Sequence, residues 1–85
     1  MKQAAPDLKV IARAPFEIFY EGNARGVSAA NSVGEFDILP GHADFFSILK
    51  AGEIMITTDS EPIMIKITNG IVAVRDNEVT LFLNM

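Results

Sequence analysis

Apolar and polar residues alternate with a period of two along most of this chain, and no window carries a convincing apolar repeat of 3.6 residues. Leu8, Val10, Ala12 and Ala14 alternate with Lys9 and Arg13 until Pro15 ends the run. Phe16, Ile18 and Tyr20 alternate with Glu17 and Glu21, and Gly22-Asn23 supplies a turn. Arg25–Ala30 reads as a weaker strand because Gly26 interrupts it. Glu35 and Asp37 point one way and Phe36 and Ile38 the other, as a half-buried strand requires. Phe45–Leu49 is nearly all apolar and is broken at Ala51-Gly52. Ile54 and Ile56 follow, then Ile63, Ile65 and Ile67 against Met64, Lys66 and Thr68. The last two strands, Ile71–Arg75 and Glu78–Leu83, flank Asp76-Asn77, a pair that tolerates positive φ and so predicts a hairpin. Asn69-Gly70 fits either a tight turn or a bulge that swings the chain between sheets. Eight or nine short strands at this spacing predict an all-β chain without helix, an antiparallel β-sandwich or small barrel.

One corner stands out. In the segment Gly34–Ala43, Pro40 fixes φ for a turn and Gly41 removes the Cβ that would clash there. The chain reverses and presents His42, its only histidine, at the corner.

Composition narrows the function. At 85 residues the chain is read as one domain over 1–85, of a size that hides only about 60–65 % of its unfolded surface. Its hydrophobic content is 49 %, yet no apolar run approaches the roughly 18–20 residues of a membrane span. Met1-Lys2-Gln3 leads into Pro6-Asp7 without an apolar stretch, so no signal peptide is expected. With no cysteine, disulfides and thiolate metal sites are excluded. Net charge is −4, and the seven basic residues are never adjacent, which argues against nucleic acid as a partner. Between Glu35 and Glu61 six acids (Glu35, Asp37, Asp44, Glu53, Asp59, Glu61) face the single Lys50. That bias suits a solvated face or a docking surface for a basic partner.

No constellation demands catalysis. Ser28, Ser32, Ser47 and Ser60 lie outside any nucleophile elbow, and the glycines are isolated turn residues rather than a phosphate loop. Glu35 and Asp37 stand roughly 6–7 Å apart on one strand face, a spacing open to acid/base chemistry but met far more often in solvated pairs. His42 with Asp37 and Asp44 could be drawn as a metal site, but carboxylates with a single imidazole select weakly. His42 is read as a surface turn residue or as a contact residue at an interface. No metal, cofactor or catalytic residue is assigned.

The spelling of the corner goes further. Gly-Glu-Phe-Asp-Ile-Leu-Pro-Gly-His-Ala at 34–43 resembles the Gly-Glu-Phe/Leu-x-Ile-Leu-Pro-Gly-His-Ala motif of the ε subunit of F-type rotary ATP synthases. Pro15–Gly22 is similar to that family's Pro-x-x-x-x-Tyr/Phe-x-Gly segment, Leu49–Ile54 to its Leu-Lys-Pro-Gly-x-Leu/Ile turn, and Thr68–Thr80 to its Ser-Gly-Gly-Phe-x-x-Val-x-x-Asn-x-Val-Thr ending. The resemblance implies a sandwich of two roughly five-stranded sheets and a mechanical role. The domain would sit at the foot of the central stalk, touch the γ subunit on one side and the polar loops of the membrane c-ring on another, and turn with them. It would be peripheral on the cytoplasmic side of the bacterial inner membrane or the equivalent organelle face. Glu35 and His42 match the family's ring-facing positions, and Asp37 lies beside them. A carboxylate there would meet the arginines of ring loops and resist slip under torque. Asp44 stands where the family usually has proline, and Asn69 replaces the first glycine of its usual pair. The family continues into a two-helix carboxy-terminal hairpin that regulates hydrolysis and in some members binds ATP. Ending at Met85, this chain is expected to lack both activities and to bind no nucleotide. The alternative from another class is a free-standing small-ligand- or carbohydrate-binding sandwich. One tyrosine and no tryptophan make a poor sugar-stacking platform.

Overall fold

A computed structural model describes residues 7–85, so residues 1–6, on which the absence of a signal peptide was argued, lie outside the described residues. Seven strands form: β1 (Leu8–Ala14), β2 (Glu17–Ala24), β3 (Gly26–Asn31), β4 (Gly34–Ile38), β5 (Phe45–Thr57), β6 (Ile63–Arg75) and β7 (Glu78–Asn84). They are hydrogen-bonded in the order β2-β1-β7-β6-β5-β3-β4, antiparallel throughout except for the parallel pair β1–β7. The described residues contain no helix.

The eight or nine predicted strands become seven because two predicted breaks are one bend. Ala51-Gly52 and Asn69-Gly70 face each other across the β5–β6 ribbon, where Lys50 pairs with Asn69 and Gly52 with Ile67. Pairing continues on both sides, so neither site is a turn. An extended 13-residue strand would reach roughly 43 Å. Both ends of β5 nevertheless come to one end of the molecule. Asp44 before it accepts a hydrogen bond from Asp76 N at 3.3 Å, and Thr57 O at its close accepts one from Arg25 N at 2.7 Å. Lys9 N donates to Asn77 O at 2.8 Å, and Leu8 pairs with Ala24, which joins the two. The ribbon must therefore fold over near Lys50–Gly52.

Burial records the fold. In β5 the buried positions pass from Leu49 to Ile54 and Ile56, and in β6 from Ile65 and Ile67 to Gly70, Val72 and Val74. Each strand changes the face it buries at the bend. The result is a sandwich made from one sheet. The first layer holds β2, β1, β7, the second half of β6 and the first half of β5. The second holds β4, β3 and the remaining halves of β5 and β6. The two roughly five-stranded sheets expected are layers of five and four strands, because the long strands serve both layers. Between them lies one apolar core that includes Leu8, Val10, Ile38, Leu49, Ile54, Ile56, Leu81 and Leu83. No polar side chain among the described residues is buried in it.

In β2 the predicted alternation slips. The two-residue turn Pro15-Phe16 sets Ala14 opposite Glu17 and Arg13 opposite Ile18, so Ile18 faces out and Phe16 is fully exposed. Ala12 then pairs with Tyr20, leaving Phe19 as a bulge, and Phe19 and Tyr20 pack together against the core edge. The Tyr20 hydroxyl donates to the Asn23 carbonyl. At the β3–β4 tip the Asn31 side chain accepts from Val33 N (2.9 Å) and Gly34 N (3.2 Å), an Asx-type turn.

Candidate partner-binding surfaces

The Pro-Gly-His corner forms as the sequence predicts. His42 N donates to Leu39 O at 3.0 Å, and Gly41 has φ +86°, the value a type II turn needs at its third residue. The corner is fastened to the β6–β7 hairpin. Asp76 and Asn77, at φ 51° and 62°, make the tight turn, and the Asn77 side-chain oxygen accepts from Gly41 N at 2.8 Å. His42 is half-buried rather than freely exposed. Its ring meets Phe45 edge-on at 5.4 Å, and its Nδ1 stands 2.8 Å from the Ala43 carbonyl oxygen. It shares a shallow hollow with Asp44, Asp76 and Asn77.

Glu35 and Asp37 stand elsewhere. Both are exposed on β4, an edge strand, with Glu35 near its start and His42 beyond its far end. Asp37 accepts a hydrogen bond from the Ser28 hydroxyl at 2.7 Å across the β3–β4 pair. Phe36, between the two acids, turns inward and packs edge-on against Phe45 at 5.3 Å, so the chain of rings Phe36–Phe45–His42 is what links the sites. The hydrogen-bonded register of β3 on β5 covers only Gly26–Ser28, and beyond it the strands part. A groove of about 560 Å³ opens there, lined by Glu35, Asp37, Lys50 and Glu53 over Met55 and Met64. Of the three sequence candidates, Glu35 and Asp37 thus lie on β4 and His42 in the turn that follows it. Among the described residues no group of three or more histidine or carboxylate side chains is set to hold a metal ion.

A third surface escaped the sequence reading. The first layer turns outward a sheet face on which Phe46 (66 % exposed), Ile48 (69 %), Ile71 and Phe82 (53 %) are neighbours. Ile18 extends it on β2. The signal was present as apolar residues on both faces of Phe45–Leu49, but only the strand pairing gathers them.

The chain matches the family described as "ATP synthase, Delta/Epsilon chain, beta-sandwich domain" over residues 7–84. It is 41 % identical over 66 residues to the ATP synthase epsilon chain of Ruthia magnifica subsp. Calyptogena magnifica, covering 78 % of this chain and 48 % of that one. It is 34 % identical over 71 residues to the ATP synthase epsilon chain of Synechococcus elongatus, covering 84 % and 52 %. The chain spans about half the length of these curated relatives. Its fold is shared with a chain of the Euglena gracilis mitochondrial ATP synthase OSCP/F1/c-ring structure, with a TM-score of 0.86 and 16 % identity over 100 % of this chain and 56 % of that one. It is shared also with a chain of the Tetrahymena thermophila mitochondrial ATP synthase central stalk and c-ring, at a TM-score of 0.81 and 20 % identity over 98 % and 67 %. The match through nearly every described residue places this sandwich: the chain belongs to the β-sandwich domain family of ATP synthase delta and epsilon chains.

Proposed function

We propose that the chain is a rotor-stalk domain of an F-type ATP synthase, folded as one unit, that joins the γ subunit to the c-ring and so supports the coupling of proton flow to ATP synthesis. It turns over no substrate by itself, and no nucleotide, metal or cofactor enters this reading. It works as a peripheral part of the complex, on the cytoplasmic side of a bacterial inner membrane or the equivalent organelle face. The observation that carries the proposal is the family match through residues 7–84, which takes in β4 with Glu35 and Asp37 held exposed on an edge strand. Glu35 and Asp37 are the ring contacts in this reading. His42, packed on Phe45, shapes the neighbouring corner for a partner.

Co-expression with the γ subunit of the same source tests the reading. A stable complex through affinity and size-exclusion steps is expected, and no complex at any salt concentration would overturn it. For the ring contact, Glu35→Lys is expected to weaken attachment to c-ring-containing membranes by about ten- to a hundredfold, the worth of a charge-assisted hydrogen bond. Its circular dichroism should match that of the unaltered protein, since Glu35 is exposed. Unchanged attachment would remove Glu35 from the interface.

A further inference from the structure

We infer that Met55 and Met64 form a reversible sulfoxidation site for hydroperoxides in the groove of the second layer, and that its oxidation loosens the ring contact proposed above, a second half that rests on that reading. β5 and β6 each carry the triplet Ile-Met-Ile, at 54–56 and 63–65. Strand pairing lays one triplet on the other, with Ile54 opposite Ile65, Met55 opposite Met64 and Ile56 opposite Ile63. Alternation sends Ile54, Ile56 and Ile65 into the core and turns both methionines to the outer face. Side chains directly opposite one another stand about 5 Å apart at Cβ, so the two thioethers share one patch. The same row continues through Ser28 on β3 to Asp37 on β4. Glu35, Asp37, Met55 and Met64 accordingly line one groove.

Access, placement and the absence of competing sulfur set this pair apart. The chain has no cysteine, so thioethers are its only divalent sulfur. Met64 is 49 % exposed and Met55 half-buried, so a peroxide reaches the first directly and the second from the groove. Among the described residues the core is built from leucine, isoleucine, valine and alanine, with no methionine in it. Oxidation turns a flexible apolar side chain polar and disrupts a core that contains it. Here the polar group forms outside the core, and the fold survives it. In the step itself a sulfur lone pair attacks the terminal oxygen of the hydroperoxide. The S–O bond forms as the O–O bond breaks, sulfur gives up two electrons, and the proton passes to the leaving oxygen, which departs as water or an alcohol. The product sets a hydrated sulfoxide dipole in the row that ends at Asp37. An aliphatic stem that lies on the thioethers while its charged head meets a carboxylate then has to displace that hydration. Thiol-dependent sulfoxide reductases, one for each epimer, reverse the change.

Hydrogen peroxide is added to the full chain, and each methionine is followed by peptide mass spectrometry. Met64 is expected to gain one oxygen within about threefold of the rate of the exposed Met85, and Met55 to follow more slowly. The melting temperature of the oxidised chain should stay within about 4 °C of the reduced chain, as for other surface changes. Methionine sulfoxide reductases A and B with dithiothreitol should restore both side chains. Attachment to c-ring-containing membranes is expected to fall about tenfold on oxidation and to return on reduction. Met55→Leu with Met64→Leu keeps the volume and should attach normally and resist peroxide. Met64→Gln, which imitates the sulfoxide, should weaken attachment without any oxidant. Met64 left unmodified while Met85 is converted, or an oxidised chain that unfolds, overturns the inference. Equal attachment before and after oxidation overturns its second half and leaves the ring reading standing. If the reduced chain does not attach at all, the ring reading falls and takes the second half with it, while the mass spectra decide the site. If peroxide weakens the leucine pair as much as the unaltered chain, the effect lies at another residue and the assignment falls.

Discussion

Gly70→Ala is expected to lower the melting temperature by roughly 5–20 °C, the effect of about 1–3 kcal/mol of overpacking on a domain of this size. Gly70 is buried in β6 at the bend, where a Cβ would stand 2.7 Å from the Phe82 carbonyl oxygen and 3.2 Å from Leu83 Cδ2. The first of these atoms belongs to the backbone of the paired strand, so it can yield only by moving the β6–β7 ladder. Gly41→Ala is the comparison. Its φ of +86° disfavours a side chain, but nothing lies within 4 Å of the added carbon. That variant should lose about 1 kcal/mol from backbone conformation alone. Thermal melts of both variants check the pair, and a Gly70→Ala melt as high as that of Gly41→Ala would show that no close approach exists. The family resemblance placed a glycine pair here. The structure shows why Asn69 is tolerated as its first member: Asn69 is exposed and accepts a hydrogen bond from the Asn84 side chain at 2.7 Å.

Asn77→Val should cost about 2–3 kcal/mol and loosen the Pro-Gly-His corner at the same time. A β-branched residue at φ 62° is strained in a way asparagine is not. The substitution also removes the acceptor of the Gly41 N–H at 2.8 Å, one of the contacts that tie the corner to the rest of the sandwich. Asn77→Gly separates the two effects, because glycine keeps the turn and loses only the tether. It is expected to cost about 0.5–1.5 kcal/mol. In both variants amide exchange at Gly41 should speed up. Unchanged protection of Gly41 in Asn77→Val would mean that the corner is held by something other than this side chain.

Much of this fold was legible in the chain because β-structure writes its period directly into sequence. Leu8, Val10 and Ala12 are buried and Lys9 exposed as the alternation required, and Glu35, Phe36, Asp37 and Ile38 divide between the two sides of β4. The Asp76-Asn77 turn and the Pro40-Gly41 turn needed only local chemistry, and both stand where the residues placed them. What stayed hidden depends on pairing between distant segments. Gly52 and Asn69-Gly70 each look like a break, and only their opposition across β5 and β6 makes them a single fold in a continuous ribbon. The phase of β2 was lost because the bulge at Phe19 answers to the register with β1, not to the spacing of Phe16, Ile18 and Tyr20. Arg13 and Phe82, distant in order, come to lie side by side only through the parallel pairing of β1 with β7. Motif spelling drew Glu35 and His42 together; in the structure Glu35 stands near the start of β4 and His42 in the turn beyond its end, joined through the rings of Phe36 and Phe45.

Since β5 and β6 run unbroken through both layers, the two halves of the sandwich cannot slide past each other as separate plates. Relative displacement would have to stretch backbone hydrogen bonds between the two strands at the fold, in addition to shearing side chains in the core. A load entering at the β3–β4 tip would thus reach the opposite face through the polypeptide itself, giving the domain the stiffness of a folded strip rather than of two stacked sheets.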